Sequence, residues 1–183
     1  MAIPRLSAST TAVLVVDVQE KLLPHMHNAA EVTQQVGRLL AGAQVLGLPV
    51  LVTEQYPKGL GRTVPAVEAL LDRAELRQEK MLFSACLPPV RQALDRLGRR
   101  VVLVAGIEAH VCILQTCLDL LEAGVTTALV SDAIGSRRAA DQTAAVQRLV
   151  QAGVVPTTVE SALLEMVREA GTPQFKAMLP VIK

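Results

Sequence analysis

The chain has 183 residues, of which 51% are apolar, so it is long enough to bury one sizeable hydrophobic core. Its 18 basic and 17 acidic side chains nearly balance, and it has one tyrosine, two phenylalanines and no tryptophan. This composition argues against a general attraction to nucleic acid or to an anionic membrane, and no apolar run reaches the roughly 18 residues of a membrane span. We predict a single domain, residues 1–183, that binds neither nucleic acid nor a membrane.

The first ten residues and the cysteines indicate the cellular compartment that we expect for the protein. Residues 1–10 lack the apolar core and small-residue cleavage site of a secretion signal. The three cysteines are an odd number, and a chain of this length needs no disulfide in order to fold. We therefore expect free thiols and a cytoplasmic protein.

Short, continuously apolar segments rich in β-branched residues recur along the chain, which is typical of strands covered on both faces. In chain order, these predicted strands span residues 11–18, 48–53, 74–81, 99–106, 125–133 and 153–161, the third being the weakest. Segments of helical period lie at 31–47, 88–98, 111–124 and 139–153. They end at glycine, a common helix stop.

The alternation of strands and helices indicates the fold class. It predicts an α/β protein, a three-layer αβα sandwich with a Rossmann-like parallel sheet of about six strands. Right-handed crossovers restrict the topology, and we predict the strand order 3-2-1-4-5-6. Ligands of such sheets bind beyond the carboxyl ends of the strands, where the strand order reverses, which here is between strands 1 and 4.

Three reactive residues follow predicted strands: Asp17 after the first, Lys80 after the third and Cys112 after the fourth. Taken alone, each has an ordinary interpretation, as a turn or cap aspartate, a solvated lysine and a core cysteine. Together they form a chemical hypothesis, because a helix amino-terminus and an ammonium both lower a thiol pKa and a carboxylate can accept the thiol proton. Strand 3 lies about 10 Å from strand 1 at about 4.8 Å per strand, a gap that a lysine side chain can span.

Several motifs together resemble one known family, the isochorismatase-like cysteine hydrolases, and especially its isochorismatase domain-containing subgroup. The resemblance covers nearly the whole chain and is specific for the family but not for the substrate. The motifs are "VDVQEKL" (16–22), "EQYPKGLG" (54–61), "EKMLFSAC" (79–86), "GIEAHVCILQT" (106–116) and "SDAIGSR" (131–137).

The resemblance implies a role for each matched residue. Asp17 would be the general base, Lys80 the cation that holds Asp17 and the thiolate, and Cys112 the nucleophile. The family's non-proline cis peptide maps to Ile107–Glu108, and such a bond costs about 3–4 kcal/mol. The backbone N–H groups of Glu108 and Cys112 would then form an oxyanion hole.

Residues beside these positions predict the substrate pocket. The loops at 21–27 and 54–61, together with the start of the helix after the fourth strand, would form apolar walls around a small molecule. The expected wall residues are Leu22, Leu23, Tyr56 and Ile113.

The remaining histidine and cysteines have weaker cases for a role in the site. His110 is expected at a helix start or an interface, with a pocket contact as the alternative. Cys117 lies about 140° round the helix from Cys112, so we predict that it is a core residue. Cys86 is expected in the core, with the pocket border as the alternative.

Two departures from related enzymes narrow the chemistry. Nicotinamidases of this superfamily bind a metal through an Asp-x-His pair and another histidine after strand 2, but residues 53–61 contain no histidine here. We predict no metal and no other cofactor. Isochorismatase itself cleaves an enol ether without needing the cysteine, so the presence of Cys112 favours acyl transfer.

The sequence thus predicts a cysteine-dependent hydrolase that cleaves a small substrate, at an amide-type C–N bond, through a thioester. The alternative is a non-catalytic binding or scaffolding protein, and a thiol-redox protein is disfavoured because there is no Cys-x-x-Cys pair. The apolar content and the positive mean hydropathy predict a homo-oligomer. The apolar tail, residues 175–183, would dock on its own domain or on a second subunit.

Overall fold

The computed structural model describes residues 5–71 and 74–183 of the chain. Residues 1–4, which belong to the stretch considered above for a secretion signal, lie outside the described residues. Within these ranges, parallel strands form one sheet in the order 3-2-1-4-5-6, which confirms the predicted topology. The strands are β1 Thr11–Val16, β2 Val50–Gln55, β3 Leu76–Lys80, β4 Val101–Ile107, β5 Thr126–Gly135 and β6 Val155–Thr157.

Helices follow most strands. The α-helices are α1 Ala29–Leu46, α2 Pro57–Leu60, α3 Pro65–Glu68, α4 Pro88–Arg96, α5 Leu114–Glu122, α6 Ala139–Ala152, α7 Val159–Val167 and α8 Pro173–Ile182. A 3₁₀ turn spans Leu23–His25, and a π-helical turn spans Ala109–Ile113 directly before α5.

Two apolar clusters, one on each face of the sheet, make the molecule a three-layer αβα sandwich, as predicted. One cluster lies beneath α1, α7 and α8, and Val32, Val36, Leu39 and Leu40 of α1 are fully buried in it. The other lies beneath α4, α5 and α6. Strand side chains alternate between the two clusters, which explains the continuously apolar runs in the sequence.

The elements near the carboxyl terminus differ from the sequence prediction. Strand β6 ends at Thr157, and α7 begins two residues later, because the Thr158 side chain accepts a hydrogen bond from the Ser161 amide and caps the helix. The predicted strand 153–161 therefore contained a helix start. The tail is helical, and it docks on its own chain: Arg38 donates hydrogen bonds to the carbonyls of Val181 and Ile182 at 2.9 and 2.7 Å.

Strands β1 and β4 lie side by side, and Val16 is paired with Gly106 at their carboxyl ends. Gly106 has φ +128°, and a Cβ placed there would lie 2.1 Å from the Val16 carbonyl oxygen. Only glycine permits this approach, which sets the backbone directly before Asp17 against the backbone that leads to Cys112. In the part of the chain that the structure describes, no helix is long and apolar enough to cross a membrane.

Candidate active site

Three strands end in residues with an unusual backbone conformation. Asp17 follows β1 with φ 55°, Tyr56 follows β2 with φ 36° and Glu108 follows β4 with φ 56°. Residues with a side chain rarely adopt this left-handed conformation, and it concentrates at functional sites because its strain must be held by the surrounding fold. The left-handed residues after β1, β2 and β4 all lie at the carboxyl ends of the strands, where a ligand is expected.

The Asp17 carboxylate is fully buried and is paired with Lys80. Its Oδ2 lies 2.6 Å from the Lys80 Nζ, and neither side chain is exposed to solvent. Its Oδ1 accepts a hydrogen bond from the Thr53 hydroxyl at 2.8 Å. Among the described residues, Oδ2 has no further donor of hydrogen-bond geometry, so this oxygen is the one able to accept a proton.

The Lys80 side chain extends from the edge strand β3 to Asp17, a gap that a lysine was expected to span. Its ammonium donates to the Gln55 Oε1 at 2.8 Å and to the carbonyls of Leu82 and Phe83 at 3.2 and 2.8 Å. These three hydrogen bonds use all three N–H donors of an ammonium, and Asp17 Oδ2 meets Lys80 as an ion pair. Lys80 therefore has no N–H group left over for another ligand.

Cys112 lies in the π-helical turn before α5 and is 1% exposed. Burial, followed by the charge of the neighbouring Asp17 carboxylate, raises the pKa of its thiol to about 12, and the opposing effect of Lys80 is smaller. The expectation of a lowered pKa is wrong for this state of the protein, because burial and the carboxylate outweigh the ammonium. The structure thus places Asp17 and Lys80 close enough to Cys112 to act on its thiol pKa, and the raised pKa favours the protonated thiol.

The expected cis peptide is absent: every peptide bond of residues 5–71 and 74–183 is trans, including Ile107–Glu108. The chain instead turns through the left-handed conformation of Glu108. The Glu108 side chain forms an ion pair with Arg137, 2.7 Å from Oε1 to Nε. The oxyanion hole of the Glu108 and Cys112 amides remains a prediction.

The four predicted wall residues lie in different surroundings, and the pocket that they would form remains a prediction. Leu22 and Leu23 pack into the cluster beneath α1, whereas Ile113 is fully buried in the cluster on the opposite face. Tyr56 is 46% exposed and borders a cavity of about 300 Å³ that reaches the backbone of Lys80. These residues were expected to face a ligand because they flank the reactive positions in sequence, but the packing of Leu22 and Ile113 uses their side chains in the core.

The structure also places the remaining candidates, one histidine and two cysteines. His110 is partly buried beside the Ser136 hydroxyl, 3.1 Å from its Nδ1. Cys117 is a core residue, as predicted, and burial raises the pKa of its thiol to about 12. Cys86 is half-buried, and burial raises its pKa as well. The described residues contain no group of three or more histidine, cysteine or acidic side chains that could hold a metal ion.

Sequence reasoning missed three polar residues that hold the site. Thr53 donates to Asp17, Gln55 accepts from Lys80, and the Thr116 hydroxyl donates to the Cys112 carbonyl at 2.6 Å. A signal existed for the first two, because both are buried polar residues at the carboxyl end of the apolar strand β2. Thr116 lies four residues after Cys112, one helical turn on, which brings its hydroxyl to the Cys112 carbonyl.

Comparison with known proteins identifies the family. The model of the isochorismatase domain matches residues 11–161. Isochorismatase domain-containing protein 1 of Danio rerio is 41% identical over 179 residues, which cover 97% of this chain and 62% of that protein. The chain thus spans less than two thirds of the length of this relative.

Solved structures agree with the sequence comparison. A structure described as the MAR1 ribonuclease of Caenorhabditis elegans is 39% identical with a TM-score of 0.92, covering 98% of this chain and 92% of that one. YcaC of Pseudomonas aeruginosa, solved with hexane-2,5-diol and covalent acrylamide, is 26% identical with a TM-score of 0.90, covering 99% and 93%. The protein therefore belongs to the isochorismatase family.

Proposed function

We propose that this protein hydrolyses an amide-type C–N bond of a small substrate, with Cys112 as the nucleophile and Asp17 as the base. The observation that carries the proposal is the buried carboxylate of Asp17, fixed by Lys80 at 2.6 Å beside the Cys112 thiol. A paired ammonium and carboxylate in the interior cost desolvation energy, and such groups are kept where chemistry requires them.

The first half of the reaction forms a thioester. Asp17 Oδ2 accepts the thiol proton as the Cys112 sulfur attacks the carbonyl carbon, and the backbone amides of Glu108 and Cys112 stabilise the oxyanion. The C–N bond then breaks, and the protonated Asp17 gives the proton to the departing amine. Because the resting thiol is protonated, transfer to Asp17 accompanies attack and no thiolate needs to accumulate.

The second half regenerates the enzyme. Asp17 accepts a proton from a water molecule, whose oxygen attacks the thioester carbonyl. The C–S bond breaks, the sulfur recovers the proton, and the carboxylic acid leaves. Lys80 takes no part in these proton transfers, since its three N–H donors are already engaged by Gln55 and the carbonyls of Leu82 and Phe83.

The relative from Pseudomonas aeruginosa supports a small amide as the ligand class. Its structure contains covalent acrylamide, a primary amide that alkylates nucleophilic side chains. The near-complete burial of Cys112 also favours a small ligand. The Caenorhabditis elegans relative is described as a ribonuclease, but the balanced charge of this chain does not favour a polyanionic substrate.

The test is a hydrolysis screen with small amides and hydroxamates, and with RNA as a further substrate. We expect turnover of an amide that is lost in Cys112→Ser and retained in the matched control Cys117→Ser, in which a buried thiol away from the site is changed. Amide turnover that persists in Cys112→Ser, or Cys112-dependent cleavage of RNA in place of any amide, would overturn the proposal. A protein that hydrolyses nothing in the screen would favour the non-catalytic binding alternative.

The assembly and location are part of the same proposal. We infer that the protein is a homo-oligomer, because Met81, Leu82 and Phe83 expose 71%, 67% and 52% of their surface in one chain. A second copy that covers these side chains would enclose the loop that holds Lys80. The free thiols favour a cytoplasmic location, and the domain boundaries are proposed as residues 1–183.

A further inference from the structure

The segment after β3, residues 82–85, lies between Lys80 and the helix that bears the nucleophile. Its first two carbonyls, of Leu82 and Phe83, accept hydrogen bonds from the Lys80 ammonium. Its last residue, Ala85, is fully buried and donates its backbone N–H to the Thr116 hydroxyl oxygen at 2.8 Å. We call residues 82–85 the strap.

The Thr116 hydroxyl is the link between the strap and Cys112. It accepts from Ala85 and donates its own hydrogen to the Cys112 carbonyl at 2.6 Å, and its side chain is fully buried. Because the hydroxyl has one hydrogen and an acceptor that needs it, the direction of both bonds is determined. A threonine that only bonded back to its own helix would not need the second partner.

We propose that Thr116 is a positioning residue that fixes the strap to the nucleophile-bearing helix and thereby holds the Lys80 ammonium against Asp17. The inference rests on the proposed function of the three reactive residues. Thr116 touches none of the reacting atoms, and it acts through the strap carbonyls that bind Lys80. Without the hydroxyl, the strap is joined to Lys80 but loses its bond to the helix of Cys112.

This arrangement explains why the side chains of Leu82 and Phe83 are exposed beside the site. The carbonyls of Leu82 and Phe83 must point inward to reach Lys80, so their side chains are left on the outside. Gln55 supports the same geometry from β2, since its Nε2 donates to the Met81 carbonyl at 2.9 Å while its Oε1 accepts from Lys80. The strap backbone therefore supports the site through the carbonyls that bind Lys80. The exposure of its side chains is a consequence of the inward direction of those carbonyls.

The test compares Thr116→Val, which keeps the shape and removes the hydroxyl, with Thr116→Ser, which keeps the hydroxyl. The probe is p-nitrophenyl acetate, and the readout is the rate at which Cys112 is acylated, followed by p-nitrophenol release and peptide-resolved mass spectrometry. The control is Thr33→Val, which removes a comparable hydroxyl bond to the Ala29 carbonyl in α1, away from the strap. Thermal unfolding and amide exchange of the strap are measured for every variant.

We expect acylation of Cys112 to slow by about tenfold in Thr116→Val, since small displacements of catalytic groups cost this much or more. Thr116→Ser should stay within about threefold of the unsubstituted protein, and Thr33→Val should be unchanged. Exchange of the Ala85 amide should rise only in Thr116→Val. Unchanged acylation in Thr116→Val, or an equal loss in Thr116→Ser, would overturn the positioning role while leaving Cys112 as the nucleophile. No acylation of Cys112 in the unsubstituted protein would overturn the proposed function and this inference with it.

Discussion

At the scale of single residues, Asp17 affects Cys112 in two opposite ways. Its negative charge favours the protonated thiol, yet in the proposed mechanism the same carboxylate is the base that removes the thiol proton during attack. Moving a thiol pKa from 9 to about 12 corresponds to about 4 kcal/mol in favour of the protonated form. In the proposed mechanism, Cys112 therefore stays protonated until a substrate carbonyl is in place.

Replacing Asp17 should separate these two effects. In Asp17→Asn we expect hydrolysis to fall by about a hundredfold or more, because the general base is lost. Alkylation of Cys112 by iodoacetamide should become faster, because the pKa of the thiol falls when the negative neighbour is removed and Lys80 remains. Hydrolysis assays and peptide-resolved alkylation rates check this. Asp95→Asn, at an exposed position in α4, is the control, and slower alkylation in Asp17→Asn would contradict the account.

The pH dependence of Cys112 alkylation follows from the same raised pKa. Since the folded thiol titrates at about 12, its thiolate fraction should continue to rise throughout the range from neutral pH to pH 9, with no plateau. The measurement is the alkylation rate of the Cys112 peptide at several pH values, with Cys86 followed in the same samples. A plateau near neutral pH would indicate an activated thiolate and would show that burial does not dominate.

At the scale of elements, the close approach of the paired strands β1 and β4 at their carboxyl ends depends on Gly106. Gly106→Ala should lower the free energy of unfolding by more than about 3 kcal/mol, because the new Cβ would meet the Val16 carbonyl and the φ of +128° disfavours any side chain. Gly153→Ala is the matched control: its φ is +102°, but nothing lies within 4 Å of the added atom, so about 1–2 kcal/mol is expected. Urea unfolding measures both, and equal losses would show that the contact with Val16 is unimportant.

The elements also show how far sequence reasoning extends. The parallel sheet was predictable because most of its strands have continuous apolar runs, and right-handed crossovers restricted the strand order. Asp17 could be placed at a strand end from its apolar run, whereas Lys80 ends the polar strand β3. The start of α7 was missed because Val159 continues an apolar, β-branched segment, and only the Thr158 cap distinguishes it. The roles of Gln55 and Thr116 depend on bonds between distant segments, which no local pattern encodes.

At the scale of the whole molecule, the exposed side chains of Met81, Leu82 and Phe83 make oligomerisation testable. Light scattering at micromolar concentration should give a mass at least twice the 19.5 kDa of one chain. The variant Phe83→Ser should lower that mass, because it removes apolar surface that a second copy would cover. Val150→Ser, at an exposed apolar position in α6, is the control. A mass near 19.5 kDa that does not change with concentration would contradict the prediction.

The central claim is that Cys112 carries the acyl group of the substrate. The most direct measurement is mass spectrometry of the intact protein, quenched with acid during turnover of an amide identified in the screen, followed by peptide mapping. We predict a mass increase equal to the acyl group, located on the peptide that contains Cys112 and removed by hydroxylamine, as expected for a thioester. Continued turnover in Cys112→Ala, without any acyl adduct on the unsubstituted protein, would contradict the account.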